Sequence, residues 1–200
     1  KKVNVDYACK PVDGVMKVCN GNYGNSGWLG INEIVSQVSN GRILSSVAKM
    51  NEYYLLNADE YERQFTMCHE LGHGFGLPHT DESFTNVDLG NCMDYTNTPK
   101  NNLHPDSSNY NRLASLYGTV SNRRTLRERV SSERVESTPF EVKEQYGEAV
   151  SVFHVERMTA ERPSGWRVLQ EHHRGASYAR NLGEDYELTV HVLGTLLPSN

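Results

Sequence analysis

Residues 69–79 read His-Glu-Leu-Gly-His-Gly-Phe-Gly-Leu-Pro-His, and no other stretch of the chain constrains its fold so tightly. Two histidines four positions apart on a helix project from the same face, so the imidazoles of His69 and His73 can reach one metal ion. Glu70 then points beside that ion rather than at it, where a base can take a proton from a zinc-activated water. The helix must stop soon afterwards, because a third ligand has to fold back. Gly76 tolerates positive φ at the bend, and Pro78 keeps the helix from resuming. His79 completes three neutral nitrogen ligands and leaves a fourth position open for water, the arrangement of catalytic rather than structural zinc.

The rest of the chain has to present that helix. Upstream the pattern is extended: Val3, Val5 and Tyr7 alternate, and a second run covers Val15 to Cys19 after the Asp13-Gly14 turn. A glycine-rich loop spans residues 21–27, and further strands are expected over 28–34 and 42–49. Neither Gly30 nor Gly41 belongs to a strand-turn-helix phosphate fingerprint, which argues against a nucleotide site. From about Ala58 the period becomes helical, with Asp59 as N-cap and Glu60 and Glu62 at the positive end of the dipole. Residues 80–102 form a polar loop, and Asp106 caps a second helix that Gly118 closes. Residues 121–139 are dense in Arg, Glu and Ser and read as a polar linker. Short alternating runs at 150–155, 166–169 and 188–193 predict a small β-rich region over 140–200.

Composition removes several classes of function. The net charge of −5 and pI near 5.9 give no electrostatic footprint for nucleic acid. A mean hydropathy of −0.63 and the lack of a long apolar run exclude a membrane-spanning helix. The first residues carry no apolar stretch of the signal-peptide kind, which leaves open a start after a processing point. Four cysteines at 9, 19, 68 and 92 fall in short-range pairs. Such pairs point to disulfides and an oxidising compartment, with buried free thiols as the alternative.

The eleven-residue motif, followed by Asn91-Cys92-Met93-Asp94-Tyr95-Thr96, resembles the zinc signature and Met-turn of the metzincin metallopeptidases. Segments 23–30, 47–51, 92–97 and 178–192 are also similar to secreted bacterial metzincin-like proteases with a short catalytic domain. The resemblance implies an α+β fold. Its parts would be a twisted, mostly β upper part, a zinc-binding active-site helix, a Met-turn and a C-terminal helix within residues 1–120. A polar linker at 121–139 and a small β-rich extension at 140–200 would follow. The family's first strand and long backing helix are not legible before His69 and are expected upstream. Thr80, after the third histidine, assigns no subfamily.

The function implied is that of a secreted zinc endopeptidase acting on an extended protein or peptide substrate. His69, His73 and His79 would hold one Zn²⁺, and Glu70 would be the catalytic base. Met93 would form the hydrophobic floor of the site. Tyr95 would either ligate the metal and stabilise the oxyanion, or bond to backbone as a structural phenol. Substrate is expected along the strand at 42–51, with specificity set by residues 96–109. Pairing of Cys68 with Cys92 would tie the metal-binding helix to the Met-turn, and Cys9 would pair with Cys19. Asp81, Glu82, Asp88 and Asp94 invite a calcium ion or, in the blander reading, a hydrogen-bonded loop. A non-catalytic zinc-containing adhesion module is the alternative function. A structural zinc site would need a fourth ligand, for which the sequence offers His104.

Overall fold

The computed structural model describes residues 9–118, 164–172 and 174–195. The strand expected at Val3 to Tyr7, the linker at 121–139 and the run at 150–155 lie outside them. Within them the chain is α+β. The strands are β1 (Met16–Gly21), β2 (Trp28–Gln37), β3 (Ile43–Asn51), β4 (Trp166–Glu171), β5 (Gly175–Gly183) and β6 (Tyr186–Gly194). The helices are α1 (Glu52–Leu55), α2 (Glu60–Gly74) and α3 (Ser107–Tyr117), with a 3₁₀ turn at Pro99–Asn101.

All six strands form one sheet in the order β1-β3-β2-β6-β5-β4. Only β1 and β3 run parallel; every other neighbouring pair is antiparallel. Two expectations change here. The C-terminal strands were expected as a small unit of their own, yet β6 pairs with β2 from Trp28↔Gly194 to Gln37↔Tyr186. The hydrophobic alternation that marks a strand carries no information about which edge it joins, so the sequence left this partner open. The strand at 42–51, expected to offer a free edge to substrate, is enclosed between β1 and β2. From Ser46 to Met50 its residues are paired with a strand on both sides.

Period-two alternation divides the sheet's faces. Ile31 and Val35 of β2 face the same side as Leu188, Val190 and Val192 of β6 and Ala176 and Tyr178 of β5, and with Trp28 and Trp166 they make one core. The other face carries Gly30, Asn32, His191 and Leu193 and meets α2. Small residues allow that approach. A Cβ on Gly30 would stand 2.5 Å from Glu70 Oε1, and one on Gly74 would stand 2.8 Å from Ser46 Oγ. A second core of Phe65, Leu77, Cys92, Met93, Tyr95 and Leu193 lies around α2 and the loop below it.

Local chemistry fixes the helices where the sequence placed them. Asp59 accepts from the Glu62 amide at the start of α2. Its end is closed by bonds from the Gly76 amide to His73 O and the Leu77 amide to Gly72 O, with Gly76 at φ +83°. Asp106 and Asn109 form a reciprocal capping box on α3. Asn51 organises the glycine-rich loop: its Nδ2 donates to Gly24 O and Ser26 Oγ, and its Oδ1 accepts from the Tyr23 and Tyr53 amides. Disulfides join Cys9 to Cys19 and Cys68 to Cys92. The second fastens α2 to the loop carrying Met93, a closure worth roughly 3 kcal/mol in the chain-entropy account.

Candidate metal centre

The sequence positions His69 and His73 one turn apart on α2, and the reversal at Gly76 returns the chain so that His79 meets them. Their ligand atoms all lie within 4.8 Å of one another. The orientation of the rings matters more than their proximity. His69 Nδ1 stands 2.8 Å from Cys92 O, and His73 Nδ1 stands 2.9 Å from Leu77 O. A carbonyl can only accept, so both Nδ1 atoms carry the proton and both Nε2 atoms present lone pairs. Those two Nε2 atoms are 3.1 Å apart. Two nitrogens bound at about 2.1 Å to one tetrahedral ion would be separated by roughly 3.4 Å. His79 Nδ1 lies 3.4 Å from Glu82 Oε1, and its buried Nε2 has no hydrogen-bond partner. Each ring is thus held at Nδ1 by an oxygen, the outer-shell arrangement that orients metal-ligating imidazoles.

Burial keeps the three rings neutral. It pulls His69 down to about 4, against a raising bond to Cys92 O. It holds His73 well below the usual imidazole range, helped by His191, His69 and His79. His79 falls to about 2 through burial and the neighbouring His69, His191 and His172. Neutral imidazoles are the form that binds a divalent cation. Orphaned lone pairs on a set of nitrogens fit such an ion, and these residues could hold it.

Glu70 follows His69 on α2 and is fully buried, with both carboxylate oxygens unpartnered. Its backbone carbonyl accepts from Asn32 Nδ2 at 2.7 Å, fixing α2 against β2. Desolvation raises its pKa well above the ordinary carboxylate value. Met93 is buried with its Sδ against Gly72, where a Cβ would collide with it. Asn91 Oδ1 accepts from the Met93 amide and from Thr80 Oγ1. The Thr80 amide donates to Met93 O and the Tyr95 amide to Asp81 O, so the segment after His79 is stitched to residues 93–95.

Tyr95 stacks on Phe84 at 4.4 Å and stands 4.2 Å from the His79 ring and 5.6 Å from that of His69. Its hydroxyl is buried, has no hydrogen-bond partner and abuts Gly175. Among the described residues no backbone group bonds the phenol, so they do not contain the backbone-bonded alternative. Burial, with Glu70 and Glu82 nearby, raises this hydroxyl's pKa above the usual tyrosine value.

The acidic loop is occupied by its own hydrogen bonds. Asp81 Oδ1 accepts from the Ser83 amide and Asn86 Nδ2, Asp88 from the hydroxyls of Thr96 and Thr98, and Asp94 Oδ2 from the Leu89 amide and Asn102 Nδ2. Among the described residues the histidine triad is the only group of three His, Cys, Asp or Glu side chains whose ligand atoms converge, and Asp94 Oδ1 is buried without a hydrogen-bond partner.

The sequence missed what the C-terminal strands bring. His191 of β6 stacks on His73 with ring centroids 4.0 Å apart and 7° between planes, while its Nδ1 meets Ser177 Oγ at 2.8 Å. His172 Nε2 lies 2.9 Å from Glu82 Oε2, the carboxylate that also faces His79. His104, the residue considered for a fourth ligand, instead meets Gln64 through its Nε2 at 3.3 Å. The apolar run at 188, 190 and 192 was a usable signal, because a strand with those residues on one face must carry His191 on the other. No family model, curated protein or solved structure matches the chain.

Proposed function

We propose that this chain is a secreted zinc-dependent endopeptidase of the metzincin kind. One observation carries the reading: two histidine Nε2 lone pairs lie 3.1 Å apart, and the residue after His69 is a fully buried glutamate, Glu70, whose carboxylate oxygens have no partner among the described residues. A pair of facing lone pairs is repulsive until a cation relieves it. His69, His73 and His79 would hold that ion. Zinc there would supply Lewis-acid polarisation of a carbonyl and acidify the attacking water toward a pKa of roughly 7.

The remaining chemistry belongs to the chain. Glu70 is not a ligand, so its carboxylate is free to take the proton of the attacking water and to deliver it to the leaving amine. A desolvated carboxylate of raised pKa is suited to both halves of that transfer. The Tyr95 hydroxyl can donate to the oxygen on which negative charge develops. Met93, buried against Gly72, would supply the hydrophobic floor. Two disulfides and the absence, among the described residues, of a helix long and apolar enough to cross a membrane accord with an extracellular setting.

The alternative, a non-catalytic zinc-containing binding module, draws support from the closure of the site, where His69, His73 and Glu70 are at most 1% exposed. Glu70→Ala separates the two. Zinc content and hydrolysis of casein or gelatin are measured for wild type and variant. The expected result is unchanged zinc with nearly all turnover lost. Loss of zinc from the variant, or substantial remaining turnover, removes the peptidase assignment.

A further inference from the structure

Hydrolysis at this site requires a substrate carbonyl beside Glu70, and residues 174–193 crowd the His73 ring and the Tyr95 turn next to it. His191 lies flat on His73. Gly175 presses its backbone on the Tyr95 hydroxyl, and Leu193 packs into the core with Phe65 and Met93. Arg174 donates through Nη1 to Thr96 O at 3.2 Å and Asn97 Oδ1 at 2.7 Å, pinning the segment that follows the Tyr95 turn.

The strand that crosses Glu70 is β2, through Gly30 and Asn32. On its outer edge Gly30 pairs with Leu193, Ile31 with Val192 and Asn32 with His191. The row of backbone donors and acceptors at the height of Glu70 is therefore taken by β6. An extended peptide joining that edge would need the same row and would run where residues 191–193 run. His191 is not a fourth ligand in this arrangement. Its ring lies parallel to that of His73, its Nδ1 meets Ser177 Oγ, and its nitrogens are not among the ligand atoms that converge.

We propose that β6, backed by β4 and β5, is an intramolecular stand-in for an extended peptide substrate, and that displacing it from β2 opens the site. The inference rests on the peptidase reading above. Besides the core that Ile31 and Val35 share with Leu188, Val190 and Val192, the cover is held by polar anchors at both ends, and loosening either one should favour its displacement. Arg174 fastens the end near the metal. At the other end the Val38 amide donates to Asp185 O, and the Ser39 amide and hydroxyl donate to the Asp185 carboxylate.

The test uses the full zinc-loaded chain, with Arg174→Ala and Asp185→Ala as variants loosened at opposite ends. Three quantities are read: the rate at which a chelator strips zinc, binding of a short peptide hydroxamate by calorimetry, and amide hydrogen exchange in β6. Loss of the charge-assisted bonds of Arg174 should speed stripping and hydroxamate binding about tenfold. In wild type, hydroxamate binding should remove exchange protection from residues 188–193. Wild type binding hydroxamate as fast as both variants, with β6 protection unchanged, would overturn the cover while leaving the peptidase reading intact. A chain that takes up no zinc, or a zinc-loaded chain in which no variant binds hydroxamate, removes the peptidase reading and the cover with it.

Discussion

His79 and Tyr95 show how much a single side chain near the centre decides. His79 is the member of the triad supplied from outside α2; the turn at Gly76 returns it, Glu82 faces its Nδ1 and Tyr95 lies against its ring. His79→Ala should leave the fold intact and lower zinc retention, read as metal content after dialysis; a fully loaded variant would mean another third ligand. Tyr95→Phe tests the phenol. Its hydroxyl has no hydrogen bond to lose, so the melting temperature should scarcely change. If that hydroxyl serves the developing oxyanion, kcat should fall by about 10²- to 10³-fold. A variant as fast as wild type rejects the role. The triad and Glu70 were legible because all four lie within one helix and its reversal, where spacing alone determines direction. His172 and His191 were not, since their approach depends on a strand pairing that no local pattern encodes.

Helix α3 follows its capping chemistry. Burial alone would raise the Asp106 carboxyl, but bonds from Ser108 Oγ and the Asn109 and Ser108 amides outweigh it and hold it below its usual value. A depressed folded-state pKa contributes stability above the unfolded value near 3.8 and loses it as pH falls through the folded value. Asp106→Ala should therefore cost about 1 kcal/mol at neutral pH, with a deficit that shrinks in acid; thermal melts across pH 2 to 7 read it. An unchanged deficit at low pH would mean the cap acts through geometry rather than charge. Capping residues made α2 and α3 readable to within a residue or two. Strand β5 escaped notice because Gly175, Ser177 and Asn181 dilute its alternation, and four-residue α1 is too short to show a period.

Across the whole molecule, the sheet carries one buried ion pair on the face away from α2. Lys49 Nζ meets Glu33 Oε1 at 2.6 Å, and both side chains are largely withdrawn from water. Burial raises the Glu33 pKa despite the lysine that opposes it. Lys49→Met would leave that carboxylate uncompensated and should destabilise by about 3–5 kcal/mol near neutral pH. A raised folded-state pKa confers relative stability below the unfolded value and loses it as pH rises through the folded one. The variant's deficit should accordingly lessen as pH falls and Glu33 takes a proton; a deficit independent of pH in denaturant titrations would assign the loss to packing instead. Strand positions could be read from alternation, but their order could not, and the order brings residues near the C-terminus onto β2. That pairing also fixes a sequence of events in time. The histidine triad spans only residues 69–79, whereas β2 and β6 join Trp28 to Gly194, and contacts so distant along the chain are expected to form late. A nascent chain would then offer the triad to the proposed zinc ion before β6 arrives, and a chain that folds without the ion should afterwards admit it only slowly.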